Sequence, residues 1–249
     1  MKILITGSSR GIGYQIAKDL LKQNHTLILH CNKNKKPLQK LLTNHDTESF
    51  IVQADLSNQE GVVKLFNETI NKISFPDSII NNAGIAESSD ISIGVNKWIE
   101  MFEKTINVNL KAPALIFKEF ILYKRLNEIN KRLRIINISS RAAFRGEEED
   151  YISYACSKGG LISLTKTIAR SFGKKDNVVS FSIAPGFVKT EMAESFINKY
   201  GEDHAKNGIL LERLTEPDDI SPIVTLMVSG KFDHSTGSTI DVNGGSYLR

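Results

Sequence analysis

Cysteine and tryptophan are scarce in this chain, which has two Cys and one Trp among its 249 residues. Cys31 and Cys156 stand far apart and form none of the short spacings that bind metals or build redox centres, so we predict two reduced thiols and no metal site. The formal net charge is only +4, which gives no indication of the clustered basic face that binds nucleic acid. These shortages argue against a disulfide-rich, metal-binding or nucleic-acid-binding protein.

Long hydrophobic runs are also missing. No apolar stretch approaches the roughly 20 residues that a membrane helix needs, and the apolar run within residues 1–7 is too short for a signal peptide. We therefore predict a cytoplasmic protein that has no membrane partner. A composition of 41% hydrophobic and 24% charged residues is that of a globular protein with a sizeable core.

Short β-branched runs alternate with longer amphipathic segments along the chain. Strands are predicted over residues 3–5, 27–29, 50–52, 78–80, 134–138, 178–183 and 238–242. Helices are predicted over 12–23, 36–44, 58–73, 96–127 with a break at Pro113, 151–173 and 217–229. Continuous apolar strands separated by helices are typical of a parallel sheet buried on both faces. The prediction is an α/β protein: a doubly wound, seven-stranded Rossmann sheet in one domain over residues 1–249.

A glycine-rich turn follows the first predicted strand and opens the first predicted helix. Gly7, Gly11 and Gly13 supply backbone that turns tightly and that a pyrophosphate can approach. Their spacing, Gly-x-x-x-Gly-x-Gly, departs from the usual dinucleotide fingerprint. The position of the turn predicts that residues 1–95 mainly bind a cofactor, which leaves residues 96–249 for catalysis and substrate.

A tyrosine and a lysine stand four residues apart on one predicted helix. At this spacing Tyr154 and Lys158 share a helix face and can act on one bound molecule. The ordinary pKa of tyrosine is near 10, and a nearby ammonium group favours the phenolate. The pair predicts general acid catalysis by Tyr154. Tyr151 lies about 10 Å from Lys158 along a helix and cannot share that lysine closely.

These motifs resemble the short-chain dehydrogenase/reductase family, and within it the 3-oxoacyl-carrier-protein reductases. Matching segments follow successive strands: Asn81–Gly84, Asn137–Ser140, Ala184–Met192 and Asp241–Gly245. The resemblance implies an NADPH-dependent oxidoreductase that reduces a ketone or aldehyde by hydride transfer. The substrate would be a small molecule, such as a 3-oxoacyl thioester on acyl carrier protein or coenzyme A. The resemblance also implies a homotetramer or a dimer.

The resemblance assigns roles to individual residues. The catalytic residues would be Asn109, Ser140, Tyr154 and Lys158, with Ser140 preferred over Ser139. The implied cofactor contacts are Gly7, Ser9, Arg10, Gly11, Ile12, Gly13, Asn32, Lys33, Asp55, Leu56, Asn82, Ala83, Gly84, Tyr154, Lys158, Pro185, Gly186, Val188 and Thr190. Two of these residues have ordinary alternatives. Asp55 would also serve as the N-cap of a helix beginning near Ser57, and Asn109 as a polar helix residue.

The end of the second strand predicts the choice of cofactor. A carboxylate there holds the ribose 2′-hydroxyl of NAD, whereas cations suit the 2′-phosphate of NADP. The segment 30–36 reads His-Cys-Asn-Lys-Asn-Lys-Lys, and no carboxylate follows it before Asp46. Together with Arg10 in the glycine loop, it predicts NADP(H) in preference to NAD(H), with Arg10 and Lys33 or Lys35 as phosphate ligands.

Other functions stay open within the same pattern. The chain would also suit a dehydrogenase of an alcohol, a sugar or a steroid, or a cofactor-binding sensor without chemistry. A sensor is expected to lack Tyr154 or Lys158, and both are present.

Three further segments carry expectations about the substrate. Residues 191–214 are expected to form a lid. Its apolar residues would either line a pocket or pack as amphipathic helices, and they are Met192, Phe196, Ile197, Tyr200, Ile209, Leu210 and Leu211. A basic patch would either dock an acidic carrier protein or be solvated surface, and it comprises Lys131, Arg132, Arg134, Lys174 and Lys175. The acidic run 147–150 is either a solvated loop or a border of the substrate entrance that disfavours anionic substrates.

Overall fold

Seven strands form one parallel sheet in the computed structural model of the chain. The strands are β1 (Lys2–Ile5), β2 (Thr26–Cys31), β3 (Phe50–Gln53), β4 (Ser78–Asn81), β5 (Leu133–Ile138), β6 (Val178–Pro185) and β7 (Thr239–Val242). Their order in the sheet is β3-β2-β1-β4-β5-β6-β7. The structure describes residues 1–191, 193, 197, 201, 206 and 208–249. The predicted seven-stranded, doubly wound α/β fold is confirmed.

Helices cover both faces of the sheet. They are α1 (Gly11–Lys22), α2 (Lys36–Leu42), α3 (Gln59–Ile73), α4 (Val95–Ile106), α5 (Ala112–Leu126), α6 (Ala142–Arg145), α7 (Ile152–Asp176) and α8 (Pro217–Val228). Short 3₁₀ turns occupy Glu149–Tyr151 and Asp233–Ser235. Within the described ranges, no helix combines the length and the apolar character that crossing a membrane requires.

Alternate residues of each strand enter opposite hydrophobic layers. In β1, Ile3 and Ile5 pack in one cluster with side chains of α1 and α8. Leu4, between them, packs in a second cluster with side chains of α3 and α5. All three are fully buried, which explains why the strands are continuous apolar runs rather than alternating ones.

The long helix predicted over 96–127 is divided, but not at Pro113. α4 passes into a π-helical segment, Asn107–Lys111, and α5 begins directly after it with Pro113 in its first turn. Proline is tolerated there because a first-turn N–H has no partner within the helix. The irregularity therefore lies before the proline and contains Asn109. Such π segments are frequent at functional sites.

The strand order reverses between β1 and β4. In open parallel sheets, ligands bind beyond the carboxyl ends of the strands at such a switch point. Four of the segments singled out by the sequence start at this edge. Thr6 follows β1, Asn82 follows β4, Ser139 follows β5, and Pro185 is the last residue of β6. The fold thus gathers the predicted nucleotide-binding and catalytic motifs on one side of the sheet.

Candidate active site

Tyr154 and Lys158 lie near the start of α7, beside the end of β5. Lys158 Nζ lies 5.6 Å from the centre of the Tyr154 ring. The same nitrogen donates a hydrogen bond to the Ile138 carbonyl oxygen at 2.9 Å, so the last residue of β5 fixes its position. The side chain of Ser140 interacts with the Tyr154 phenol. The tertiary structure therefore brings the predicted serine, tyrosine and lysine together.

The two serines that follow β5 have different partners. Ser139 Oγ donates to the backbone oxygen of Lys158 at 3.0 Å. Ser140 Oγ accepts from the Ala142 N–H at 3.1 Å, which leaves its own hydrogen free to point towards the phenol or a ligand. The geometry thus distinguishes two residues that the sequence alone separates only by resemblance.

Burial perturbs the two ionisable groups in opposite directions. It raises the pKa of Tyr154, an effect that the Ser140 hydroxyl partly offsets. It lowers the pKa of Lys158 to about 8. In each case, withdrawal from water disfavours the charged form. Tyr154 is therefore a protonated acid at neutral pH, as a proton donor to a carbonyl oxygen must be.

Asn109 lies in the π segment and is 1% exposed. Its Oδ1 accepts from the Ile85 N–H at 2.9 Å, and its Nδ2 donates to the Ile85 carbonyl oxygen at 2.9 Å. The same Nδ2 donates to Ser157 Oγ at 3.0 Å. Asn109 thus joins the backbone after β4 to α7, and it is not a surface helix residue.

The glycine loop packs too tightly for side chains. A Cβ atom on Gly7, whose φ is +64°, would lie 2.7 Å from Ala83 Cα, and one on Gly13 would lie 2.4 Å from the Gly7 oxygen. Asn82 Nδ2 holds the loop by donating to the carbonyl oxygens of Thr6 at 3.0 Å and Gly7 at 2.8 Å. The Nδ2 group of Asn82 is therefore used on the loop itself, and its backbone N–H also donates to Thr6 Oγ1 at 3.0 Å.

The N-terminus of α1 is open to an anion. Its N-cap residue, Arg10, makes no capping hydrogen bond through its side chain, and the first turn carries no acidic residue. The first amides of a helix lack partners within the helix and attract phosphate groups. With the closely packed glycine loop beside it, this helix end fits the pyrophosphate of a dinucleotide.

His30, at the end of β2, is a residue that the sequence did not single out. Its Nδ1 lies 3.0 Å from the Gly7 nitrogen and its Nε2 lies 3.0 Å from the Ala54 carbonyl oxygen. The Gly7 N–H can only donate, so Nδ1 accepts and Nε2 carries the proton. His30 is 2% exposed. One local signal in the sequence indicated this contact with the glycine loop, a polar residue near the end of a mainly apolar strand.

We expect His30 to make the protein less stable in mild acid. Burial lowers the pKa of His30 to about 4, although its bond to Ala54 acts in the opposite direction. Between this value and the ordinary 6.5, the unfolded chain binds a proton that the folded chain excludes, so the free energy of unfolding falls as the pH drops. Replacing His30 with asparagine, which keeps an acceptor for Gly7, should flatten this decline by up to about 1.4 kcal/mol per pH unit.

The measurement is urea unfolding between pH 7 and pH 4.5. His234→Asn is the matched control because His234 is exposed. If the free energy of unfolding fell equally steeply with pH in the wild type and in His30→Asn, His30 would not be the source of the acid sensitivity.

Asp55 does not cap a helix. α3 begins at Gln59, and its N-cap is Asn58, whose side chain accepts from the Gly61 N–H at 2.8 Å. Asp55 Oδ1 instead accepts from the Ser57 N–H at 2.9 Å. That bond lowers the pKa of Asp55, and the charge of Lys33 acts in the same direction. The capping alternative was therefore wrong, and the exposed carboxylate lies in the loop after β3.

The segment after β6 faces the glycine loop. The Gly186 N–H donates to the Val242 oxygen at 2.9 Å, and Val188 forms a parallel bridge with Thr215. A Cβ atom on Gly11 would lie 3.2 Å from Thr190 Cγ2. The two predicted cofactor-binding segments thus meet across the edge of the sheet.

Arg10 and Lys33 have carboxylate neighbours in this structure. Arg10 pairs with Glu191 at 2.9 Å, and both side chains are 59% exposed. Lys33 lies close enough to act on Asp55. Any anion at this corner would therefore compete with Glu191 for Arg10.

The predicted lid is described only in part. Met192, Phe196 and Tyr200 lie outside the described residues. Leu210 and Leu211 are mainly exposed, and the Leu210 N–H donates to the Gly244 oxygen at 2.7 Å. This end of the segment lies against the turn that follows β7.

Three members of the predicted basic patch have partners within the fold. Lys131 pairs with Asp77, and Arg132 and Arg134 both pair with Asp233 at 2.8 Å. Only 14% of the Arg134 side chain is exposed. These pairs tie the start of β5 to its surroundings, so the patch available to a carrier protein is smaller than the sequence predicts.

Comparison with known proteins agrees with this geometry. The short-chain alcohol dehydrogenase family model described as "Enoyl-(Acyl carrier protein) reductase" matches residues 7–247. The 3-oxoacyl-[acyl-carrier-protein] reductase of Rickettsia typhi is 34% identical over 247 residues, covering 98% of this chain and 96% of that protein. The protein of the same name from Aquifex aeolicus is 30% identical, again covering 98% of this chain and 96% of that protein.

Solved structures lead to the same family. A 4-hydroxyisoleucine dehydrogenase complexed with NADH is 32% identical and has a TM-score of 0.87 over 98% of both chains. A single-residue variant of actinorhodin polyketide ketoreductase with NADPH shares the fold, with a TM-score of 0.88 at 20% identity over 98% of this chain and 96% of that one. The chain therefore belongs to the short-chain dehydrogenase/reductase family of oxidoreductases, whose members use a nicotinamide cofactor.

Proposed function

We propose that this chain reduces a ketone or aldehyde to an alcohol with NADPH. The observation that carries the proposal is the meeting of Ser140, Tyr154 and Lys158 beyond β5, at the edge where the glycine loop is open to a dinucleotide. A non-catalytic sensor has no use for a buried lysine beside a half-buried tyrosine, because burying an ammonium group costs free energy.

Each side chain has a distinct task in this proposal. Ser140 and Tyr154 donate hydrogen bonds to the carbonyl oxygen of the substrate, and Tyr154 transfers its proton to that oxygen. The ammonium group of Lys158 stabilises the phenolate that remains and holds the ribose hydroxyls of the cofactor. A reduced nicotinamide, when bound, supplies the hydride for the carbonyl carbon. Asn109 positions the backbone at Ile85, and the preceding residue, Gly84, lies beside Lys158 Nζ.

The cofactor would lie along the edge of the sheet. The amides at the start of α1 would bind the pyrophosphate, with Ser9 and Ile12 close to them along the chain. Leu56 follows Asp55 in the loop after β3. Asp55 and the backbone of 82–84 would hold the adenosine half, and the segment from Pro185 to Thr190 the carboxamide.

Two substrate classes are supported by relatives. The reductases of Rickettsia typhi and Aquifex aeolicus are named for 3-oxoacyl groups on acyl carrier protein, which supports a 3-oxoacyl thioester. The 4-hydroxyisoleucine dehydrogenase, also solved with NADH and succinate, supports a small substrate that bears a free carboxylate.

NADPH is favoured over NADH by charge. Asn32 and Lys33 follow β2 directly, and no carboxylate stands at the position that would hold a ribose 2′-hydroxyl. Arg10 adds a cation from the glycine loop, although Glu191 competes for it. The relatives with solved structures include one complexed with NADH and one with NADPH.

The test is steady-state oxidation of NADPH and NADH against carbonyl compounds. The panel should contain acetoacetyl thioesters, small oxo acids, their esters and a 2-enoyl thioester. We expect carbonyl reduction with NADPH preferred at least tenfold in kcat/KM. Arg10→Gln should reduce that preference, whereas Glu191→Gln, which frees Arg10, should increase it. Equal use of NADH, or reduction of the enoyl thioester alone, would overturn the proposal.

Assembly into a tetramer or dimer stays a prediction. It is supported by apolar side chains that α4 and α5 expose to solvent. These are Val95 and Ile99 on α4, and Leu122 and Leu126 on α5.

A further inference from the structure

Arg141 directly follows the active-site serine, and its backbone is fixed by three elements. Its N–H donates to the Pro185 oxygen at the end of β6, at 2.9 Å. Its own oxygen accepts from the Phe144 N–H at 3.0 Å and the Arg145 N–H at 3.1 Å, in the short helix α6. The side chain is half-buried. The position from which the guanidinium group extends is therefore set by the ends of β5 and β6 and by α6.

The guanidinium group of Arg141 lies within electrostatic reach of the reacting atoms. Burial raises the pKa of Tyr154, and the charge of Arg141 acts in the opposite direction. Burial also lowers the pKa of Arg141, as expected of a cation withdrawn from water. Arg141 thus belongs to the surroundings of the Tyr154 phenol.

Glu147, the carboxylate whose charge acts on Arg141, is already engaged. Both oxygens of Glu147 accept from Arg145, at 3.0 and 2.9 Å. The charge of Glu147 acts on Arg141, but no carboxylate among the described residues is ion-paired with it. A partly buried cation without a carboxylate partner is costly. An anion that binds beside Tyr154 would recover that cost.

We infer that Arg141 binds a carboxylate group of the substrate, so that the carbonyl compound reduced here is an oxo acid. This inference rests on the proposed function and names its substrate class. The planar guanidinium group presents paired N–H donors that match the two oxygens of a carboxylate. Ser140 and Tyr154 hold the carbonyl oxygen, and Arg141, next in the chain, holds the acid group of the same molecule.

Part of the acidic run is engaged within the protein. Glu147 is held by Arg145, and Asp150 Oδ2 accepts from Ser88 Oγ at 3.0 Å. Two of the four carboxylates are therefore engaged within the protein. The charge of Glu147 nevertheless acts on Tyr154, so the expectation that the run disfavours anionic substrates stays a prediction, which the acid and ester pairs below test.

A competing role for Arg141 makes a different prediction. If Arg141 served only to lower the pKa of Tyr154, its removal would affect acids and neutral ketones alike. Paired substrates separate the two roles. Suitable pairs are 2-oxobutanoate, 3-oxobutanoate and 4-oxopentanoate, each with its methyl ester.

The experiment compares the wild type, Arg141→Met and Arg141→Lys on these pairs with saturating NADPH. Arg170→Met is the control, because Arg170 is exposed and lies on α7, the helix that carries Tyr154. For the best pair, we expect the acid-to-ester ratio of kcat/KM to fall about 10- to 100-fold in Arg141→Met. The acid-to-ester ratio of Arg141→Lys should lie between those of the wild type and Arg141→Met. The ratio of Arg170→Met should equal that of the wild type. Equal losses on acid and ester, or no loss on either, would overturn the inference.

A binding measurement separates this inference from the proposed function. Calorimetric titration of the NADPH complex with pentanedioate needs no turnover. Binding that weakens at least tenfold in Arg141→Met supports the carboxylate site even if no oxo acid is reduced. If pentanedioate does not bind the wild type, or binds both proteins with equal affinity, Arg141 is not a carboxylate site. This conclusion does not depend on which carbonyl compounds are reduced.

Discussion

Replacing Tyr154 with phenylalanine is expected to lower kcat/KM for carbonyl reduction by about 10²- to 10⁴-fold, the usual contribution of a positioned general acid. The substitution removes one oxygen and leaves the ring beside Lys158 in place. Because Lys158 Nζ is also held by the Ile138 oxygen, the ammonium group should not move. Affinity for NADPH should therefore change by less than about threefold, which steady-state fluorescence of the bound cofactor measures.

Tyr151→Phe is the matched control for Tyr154→Phe. Tyr151 lies in the 3₁₀ turn before α7, three residues away, and the same atom is removed. We expect this variant to keep activity within about threefold of the wild type. Comparable losses from both substitutions would mean that the general acid is not Tyr154 alone.

Replacing Lys158 with methionine is expected to abolish detectable reduction and yet to raise the melting temperature. Lys158 is 5% exposed, and burial lowers its pKa to about 8 from an ordinary value near 10.4. At pH 7 this difference corresponds to about 3 kcal/mol of lost stability. Methionine fills the space without charge but leaves the Ile138 oxygen without this donor, at a cost of about 1 kcal/mol. The net gain of about 1–2 kcal/mol corresponds to an increase of about 3–6 °C.

The stability gained by Lys158→Met should decrease as the pH rises. Between pH 8 and the ordinary lysine value, the unfolded chain binds a proton that folded Lys158 does not, so the wild type becomes more stable as the pH rises. The advantage of Lys158→Met should be greatest below pH 8 and should shrink towards pH 10.4.

Calorimetric scans of both proteins across this range test the prediction. Lys166→Met is the control, because Lys166 is exposed on the same helix. A melting temperature that falls in Lys158→Met would show that the bond to Ile138 outweighs the cost of burial.

Most of the fold was accessible from local patterns. Each of the seven predicted strands overlaps an observed one, because strands buried on both faces must be apolar at every position. The long helix α7 was predicted from the length and the helical periodicity of residues 151–173. α6 was missed because its four residues are too few for a periodic pattern. The break near Pro113 was placed a few residues too late, since nothing local distinguishes a π segment from an α-helix.

Some features of the candidate site were likewise predicted from local sequence, and others needed the structure. The glycine turn, the Tyr154–Lys158 spacing and the charge after β2 are local features that physical chemistry interprets directly, and they led to the dinucleotide and the general acid. The choice between Ser139 and Ser140 needed the structure, because it depends on which hydroxyl is used by the backbone of Lys158, nineteen residues away in the chain.

The sequence by itself determined the sheet, the family resemblance and the residue types that the chemistry needs. Only the tertiary structure decided that His30 supports Gly7, that Glu191 pairs with Arg10 and that Arg141 lies within reach of Tyr154 without a carboxylate of its own among the described residues. The physical reason is separation along the chain. Local periodicity and spacing determine which face a side chain occupies, whereas its neighbours from distant segments are set by how strands and helices pack.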